Sequence, residues 1–91
     1  MPEVPFRLRW PDGTTQQCVS PSRAIRDHLE PGAAYPVDEL VRRAGAGLDA
    51  ASERVRQVYG FACSGAASQR AAIERRAAAS PPGDVRVEAM G

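Results

Sequence analysis

Apolar and charged side chains alternate with period two along Val4-Pro5-Phe6-Arg7-Leu8-Arg9-Trp10, the pattern of a strand with one buried face. Phe6, Leu8 and Trp10 are placed toward a core. Pro11-Asp12-Gly13 then supplies turn chemistry: proline presets φ, aspartate bonds nearby backbone, and glycine takes the positive-φ place of a bulged hairpin. Thr14 to Val19 is the returning strand. Pairing Trp10 with Thr14 sets Phe6 opposite Cys18, which makes Cys18 a small buried hydrophobe. Near the other end, Val85-Arg86-Val87-Glu88-Ala89 alternates again and predicts a third strand.

Between these strands the period changes to that of helices. Ser20-Pro21-Ser22 reads as a helix start with Ser20 as cap and Pro21 at the first helical position, where its missing N–H costs nothing. Ile25 and Leu29 give this short helix its apolar face, and Glu30-Pro31-Gly32 ends it. Pro36 opens a longer region in which Val37, Leu40, Val41, Ala44, Leu48, Ala51, Val55 and Val58 recur at helical spacing. Gly45 and Gly47 each weaken its middle by about 1 kcal/mol relative to alanine, which predicts a kink or break, with Asp49 capping a second piece. Gly60 suits the left-handed position after a helix, and Ser64 begins an alanine-rich helix to Ala79 whose only large aliphatic side chain is Ile73. Ser80-Pro81-Pro82-Gly83 breaks it. The sum is an α+β fold, an antiparallel three-stranded sheet (N-terminal hairpin plus C-terminal strand) with three to four helices packed on one face.

A chain of 91 residues is one domain, residues 1–91, with room for a single modest core and none for a separate cofactor domain. Its formal net charge of +1 gives no field strong enough to hold nucleic acid or an anionic membrane. There is no membrane-length apolar run and no secretory pattern, so the expectation is a cytoplasmic protein in which Cys18 and Cys63 remain thiols. All 12 basic residues are arginines, and Arg42-Arg43, Arg75-Arg76, Arg54, Arg56 and Arg70 are candidates for one electropositive face. Glu39 with Arg43 and Arg70 with Glu74 lie at i, i+4 spacing, so local neutralisation is the simpler reading.

The candidate chemistry centres on the joint between the two long helices. Cys63 lies beside a helix start, where the dipole favours a thiolate, so Cys63 with Ser64 is a candidate ligand or redox site. A nucleophile needs a base, and nothing in the sequence brings His28, the only histidine, to Cys63. Cys18, His28 and Cys63 match no metal-ligand spacing, and the Gly45 and Gly47 pair does not follow a strand as a dinucleotide site requires. No catalytic residue, metal or cofactor is assigned. Tyr59 and Phe61, flanking Gly60, either pack into the core or stand exposed at a tight corner. In the second case they form, with Arg54 and Arg56, a partner-binding patch.

Several stretches resemble a known family: Arg9-Trp10-Pro11-Asp12-Gly13, Cys18-Val19-Ser20-Pro21-Ser22, Leu29-Glu30-Pro31-Gly32 with Tyr35-Pro36, and above all Ala51-Ser52-Glu53-Arg54-Val55 through Tyr59-Gly60-Phe61-Ala62-Cys63-Ser64. They are similar to those of small bacterial nitrogen-starvation-response proteins, and the resemblance spans nearly the whole chain. Members of that family are encoded beside a nitrilase, a radical-SAM enzyme, an acetyltransferase, a flavoprotein and a glycosyltransferase-like protein, in clusters linked to nitrile or cyanide use as a nitrogen source. The resemblance implies a pathway and brings no catalytic residues with it. The leading expectation is a non-catalytic accessory or regulatory protein that binds a cluster enzyme, the nitrilase or the radical-SAM enzyme, with homo-oligomerisation open. The alternatives are a ligand- or intermediate-handling protein, or a redox switch, using the Cys63 thiol.

Overall fold

The computed structural model describes residues 3–61 and 64–91. Strand β1 (Val4–Arg9) turns back through Asp12 and Gly13 into β2 (Thr15–Ser20). The register sets Phe6 against Cys18, and the Trp10 N–H donates to the Thr14 carbonyl at 2.8 Å, as the alternation predicts. In the turn, the Thr14 amide and hydroxyl both donate to the Asp12 carboxylate, at 3.0 and 2.7 Å. A 3-10 helix (Arg23–Asp27) follows, then β3 (Ala34–Pro36), α1 (Val37–Tyr59), α2 (Ser64–Ala79) and β4 (Asp84–Met90).

The predicted sheet of three strands and layer of three to four helices are both corrected. Among the described residues the sheet has four antiparallel strands in the order β2-β1-β4-β3, and the helical layer has two α-helices plus the 3-10 turn. The additional strand is only three residues long, too short to display a period. It forms because β4 has a free edge. Gly32 N–H donates to Val87 O at 2.7 Å, Val87 N–H donates to Ala33 O at 2.9 Å, and Tyr35 then pairs with Val85. Pro36, ending β3 and preceding α1, leaves this edge short and deprived of one donor.

The expected break at Gly45 and Gly47 is absent, because α1 runs unbroken for 23 residues. Both glycines are buried, and packing against neighbouring elements compensates their low helix propensity. The short helix after β2 is 3-10 rather than α, and its cap is Ser22 instead of Ser20: the Ser22 hydroxyl accepts from Ala24 N–H at 3.2 Å, while Ser20 Oγ donates to the Ser22 carbonyl at 2.8 Å.

Buried and exposed positions alternate along the whole of β1 and along parts of β2 and β4. Val4, Phe6, Leu8 and Trp10 of the β1 stretch, Cys18 of β2 and Val85 and Val87 of β4 point to the helical layer. Leu40, Ala44 and Leu48 of α1, Ala66 and Ile73 of α2, and Ile25 and Leu29 meet them. The buried Trp10 indole donates to Gln16 Oε1 at 3.0 Å, so its polar atom is satisfied. Val58, read as the last core position of α1, is 59% exposed. It lies beyond Val55, the last buried residue of that helix. Among the described residues no helix is long and apolar enough to cross a membrane.

Candidate functional site

The end of α1 builds an exposed apolar tip. Gly60 ends the helix with φ +84°, a left-handed conformation in which a side chain would be strained, and its N–H donates to Arg56 O at 2.8 Å. The chain leaves the helix there with Val58, Tyr59 and Phe61 outside the core, Tyr59 at 52% and Phe61 at 66% exposure. The two rings face each other at a centroid distance of 6.3 Å and an angle of 39°, within the range of favourable aromatic pairs. The core-packed alternative for these rings is therefore replaced by the exposed one.

Arg54 and Arg56 stand on the same last turns. Arg56 binds Glu53 through two hydrogen bonds, at 2.6 and 3.0 Å, which hold the Glu53 carboxyl below its ordinary range. Arg54 takes part in no ion pair among the described residues. The predicted patch of Arg54, Arg56, Tyr59 and Phe61 thus falls on one end of the helical hairpin. Ser64 opens α2 and is exposed. Cys63 lies outside the described residues.

The remaining chemical candidates are absorbed by the fold. Burial pushes the Cys18 thiol up to about 12, an effect only partly opposed by the charge of Arg76, so this sulfur is a packed thiol with little nucleophilic character at neutral pH. His28 caps the 3-10 helix and lies against α1, where its carbonyl accepts from Arg43 Nη1 at 3.5 Å. The Arg43 guanidinium lies over the Tyr35 ring at 4.7 Å and pairs with Glu39 at 3.4 Å. Arg42 also pairs with Glu39, at 3.3 Å. Arg70 reaches across to Asp49 at 2.5 Å and along its own helix to Glu74 at 3.7 Å. Most of the arginines proposed for an electropositive face are thus neutralised locally. Among the described residues no three His, Cys, Asp or Glu side chains are grouped to hold a metal ion.

A second feature was not read from the sequence. Between the first turn of α1, the last turns of α2 and the Pro81-Pro82-Gly83 turn lies an open groove of about 900 Å³. Val37, Val41, Ala77 and Pro81 give it an apolar lining, and Asp38 and Glu74 supply its charged groups. The helical periodicity marked Val37 and Val41 as core positions. Both are only partly buried, because they line this open groove.

No curated protein and no solved structure matches the chain. A family model, by contrast, matches residues 5–90, which take in the described strands except for Val4, α1, α2 and the exposed tip. That span is nearly the entire sequence, and the chain therefore belongs to the family described as nitrogen starvation-induced protein NitG.

Proposed function

We propose that this chain is a non-catalytic accessory or regulatory protein, active in the cytoplasm under nitrogen limitation, that binds an enzyme encoded in the same gene cluster, the nitrilase or the radical-SAM enzyme, during use of nitriles or cyanide as a nitrogen source. Family membership supports the nitrogen-starvation part of this reading. The observation that carries the binding part is the tip itself: Val58, Tyr59 and Phe61 are exposed together at the end of the helical hairpin, with Arg54 and Arg56 beside them. Aromatic and arginine side chains dominate interface energetics, and grouped exposed apolar residues mark interaction sites more often than scattered ones do.

The chemistry of the described residues supports a role outside catalysis. Nitrile hydrolysis requires a nucleophile with a positioned base and donors for the developing negative charge. Cys18 is buried and protonated, and His28 is engaged in packing against α1.

The test is co-expression with the nitrilase or the radical-SAM enzyme of such a cluster, followed by capture through this chain. The native chain is expected to retain its enzyme, and a folded Tyr59→Ala/Phe61→Ala variant to lose at least about tenfold in affinity. Undiminished capture by that variant removes the tip as the docking patch. Nitrile turnover by the purified chain that depends on Cys63 overturns the accessory reading.

A further inference from the structure

We propose that the exposed tip of one copy of this chain docks into the apolar groove of a second copy. The two surfaces are complementary in both polarity and charge. The tip presents Val58 and Phe61, 59% and 66% exposed, beside Arg54, a cation with no ion-pair partner among the described residues. The groove presents apolar walls from Val37, Val41, Ala77 and Pro81, and its charged lining residues are both acidic. Asp38 forms no ion pair among the described residues, and Glu74 meets Arg70 only at 3.7 Å. A cationic apolar plug therefore faces an anionic apolar slot, the arrangement that fixes orientation as well as attraction.

A chain does not fill its own groove. The last turns of α1 build the tip, whereas the groove begins at its first turn, and from Val37 to Val58 the helix rises about 32 Å at 1.5 Å per residue. The whole molecule is 39 Å long. Plug and slot on opposite ends make a heterologous contact, which can propagate from copy to copy. The contact is small, so it belongs to the weak and transient class. It goes beyond the accessory reading, which places an enzyme on the same tip. The experiment below uses the isolated chain, so either proposal can fail alone.

The test is sedimentation equilibrium of the purified full chain from about 10 μM to about 1 mM, the range in which such a contact dissociates. The average mass is expected to rise above that of one chain with concentration. Phe61→Asp spoils the plug, and Ala78→Arg, on an exposed residue of the groove wall, spoils the slot. Each is expected to weaken association at least about tenfold. Mixed together they are expected to associate again and to stop at a one-to-one pair, because one variant retains its slot and the other its plug. A native chain of single-chain mass throughout the range, folded single variants that associate like the native chain, or a mixture that does not pair would each overturn the proposal. Amide shifts of the native chain provide a readout without mutation. Concentration-dependent shifts confined to the tip and the groove support the contact, and shifts elsewhere alone reject it.

Discussion

Ile25 occupies the space that a side chain at position 47 would fill: a Cβ built on Gly47 would stand 2.6 Å from Ile25 Cδ1 and 3.2 Å from the His28 Cβ. The glycine is the seat on α1 for the 3-10 helix, and Ile25 is fully buried there. Gly45 differs. The atoms nearest its Cβ would be those of the Arg70 guanidinium, at 3.1 Å, the far end of a flexible and partly exposed side chain. Alanine gains about 1 kcal/mol of helix propensity at either site, but overpacking a core costs about 1–3 kcal/mol. Gly47→Ala is therefore expected to destabilise the protein by about 1 kcal/mol, whereas Gly45→Ala is expected to be neutral or stabilising by up to about 1 kcal/mol. Thermal unfolding of the two variants checks the difference in sign, and equal effects would remove the seat argument.

This pair also shows why the sequence misjudged α1. Helix propensity reports the backbone cost of Gly45 and Gly47, and that cost predicted a break. The compensating contacts come from Ile25 and Arg70, which are distant in sequence and leave no periodic signal near the glycines. β3 escaped for a related reason, since three residues at Ala34–Pro36 become a strand only because β4 offers an edge. Local chemistry was legible where the cause is local: the Phe6 and Cys18 register, the positive φ at Gly60 and the start of α2 at Ser64. The Arg54, Arg56, Tyr59 and Phe61 patch was found because its residues are near neighbours in sequence. The groove was missed because its lining comes from three separate segments.

Cys18 gives a pH dependence with a defined sign. Its thiol is raised from 9.0 to about 12 by burial. The contribution is fully present below about pH 9, and stability falls as pH rises toward 12, because only the unfolded chain readily loses the proton in that window. The total change is on the order of 4 kcal/mol. In a Cys63→Ser background, where Cys18 alone reports, alkylation at pH 8 is expected only after unfolding. Rapid labelling of the native protein would contradict the buried-thiol assignment.

Leu40 tests the core. It is fully buried in the core cluster to which the sheet, α1 and α2 all contribute. Leu40→Ala is expected to cost about 2–5 kcal/mol, a large part of the stability of a small domain. Denaturant unfolding measures it, and a loss below about 1 kcal/mol would mean that this face of α1 is poorly packed.

Glu88 sits on the open face of the sheet between Arg9 and Arg7, at 2.7 and 3.1 Å. The hydrogen bond from Arg9 is the largest cause holding its carboxyl below the ordinary 4.5, with the charges of both arginines adding to it. A depressed carboxyl stabilises the fold above its unfolded value and loses that contribution as pH falls through the folded one. An NMR titration of the Glu88 carboxyl is expected to move upward in Arg9→Ala, and by less in Arg7→Ala. The reverse order would show that the shorter contact is not the dominant one.

The free edge of β2 is guarded by α2. Val19 N–H, which faces away from β1, donates to Gln69 Oε1 at 3.0 Å, while Arg76 Nη2 donates to Thr14 Oγ1 at 2.5 Å and approaches the Thr15 carbonyl at 3.4 Å. Gln69 and Arg76 are seven residues apart, two turns of one helix face, so both side chains lie over the same strand. An edge with unpaired backbone groups is a template for pairing with another chain, and side chains that occupy those groups suppress it. Gln69→Ala/Arg76→Ala leaves every buried apolar side chain in place, so the global stability loss is expected to be small, about 1–2 kcal/mol. Hydrogen exchange at the Val19 amide is the specific readout and is expected to accelerate at least about tenfold, beyond what the global loss explains. An unchanged exchange rate at Val19 in the folded double variant would show that the edge is protected by something other than these two side chains.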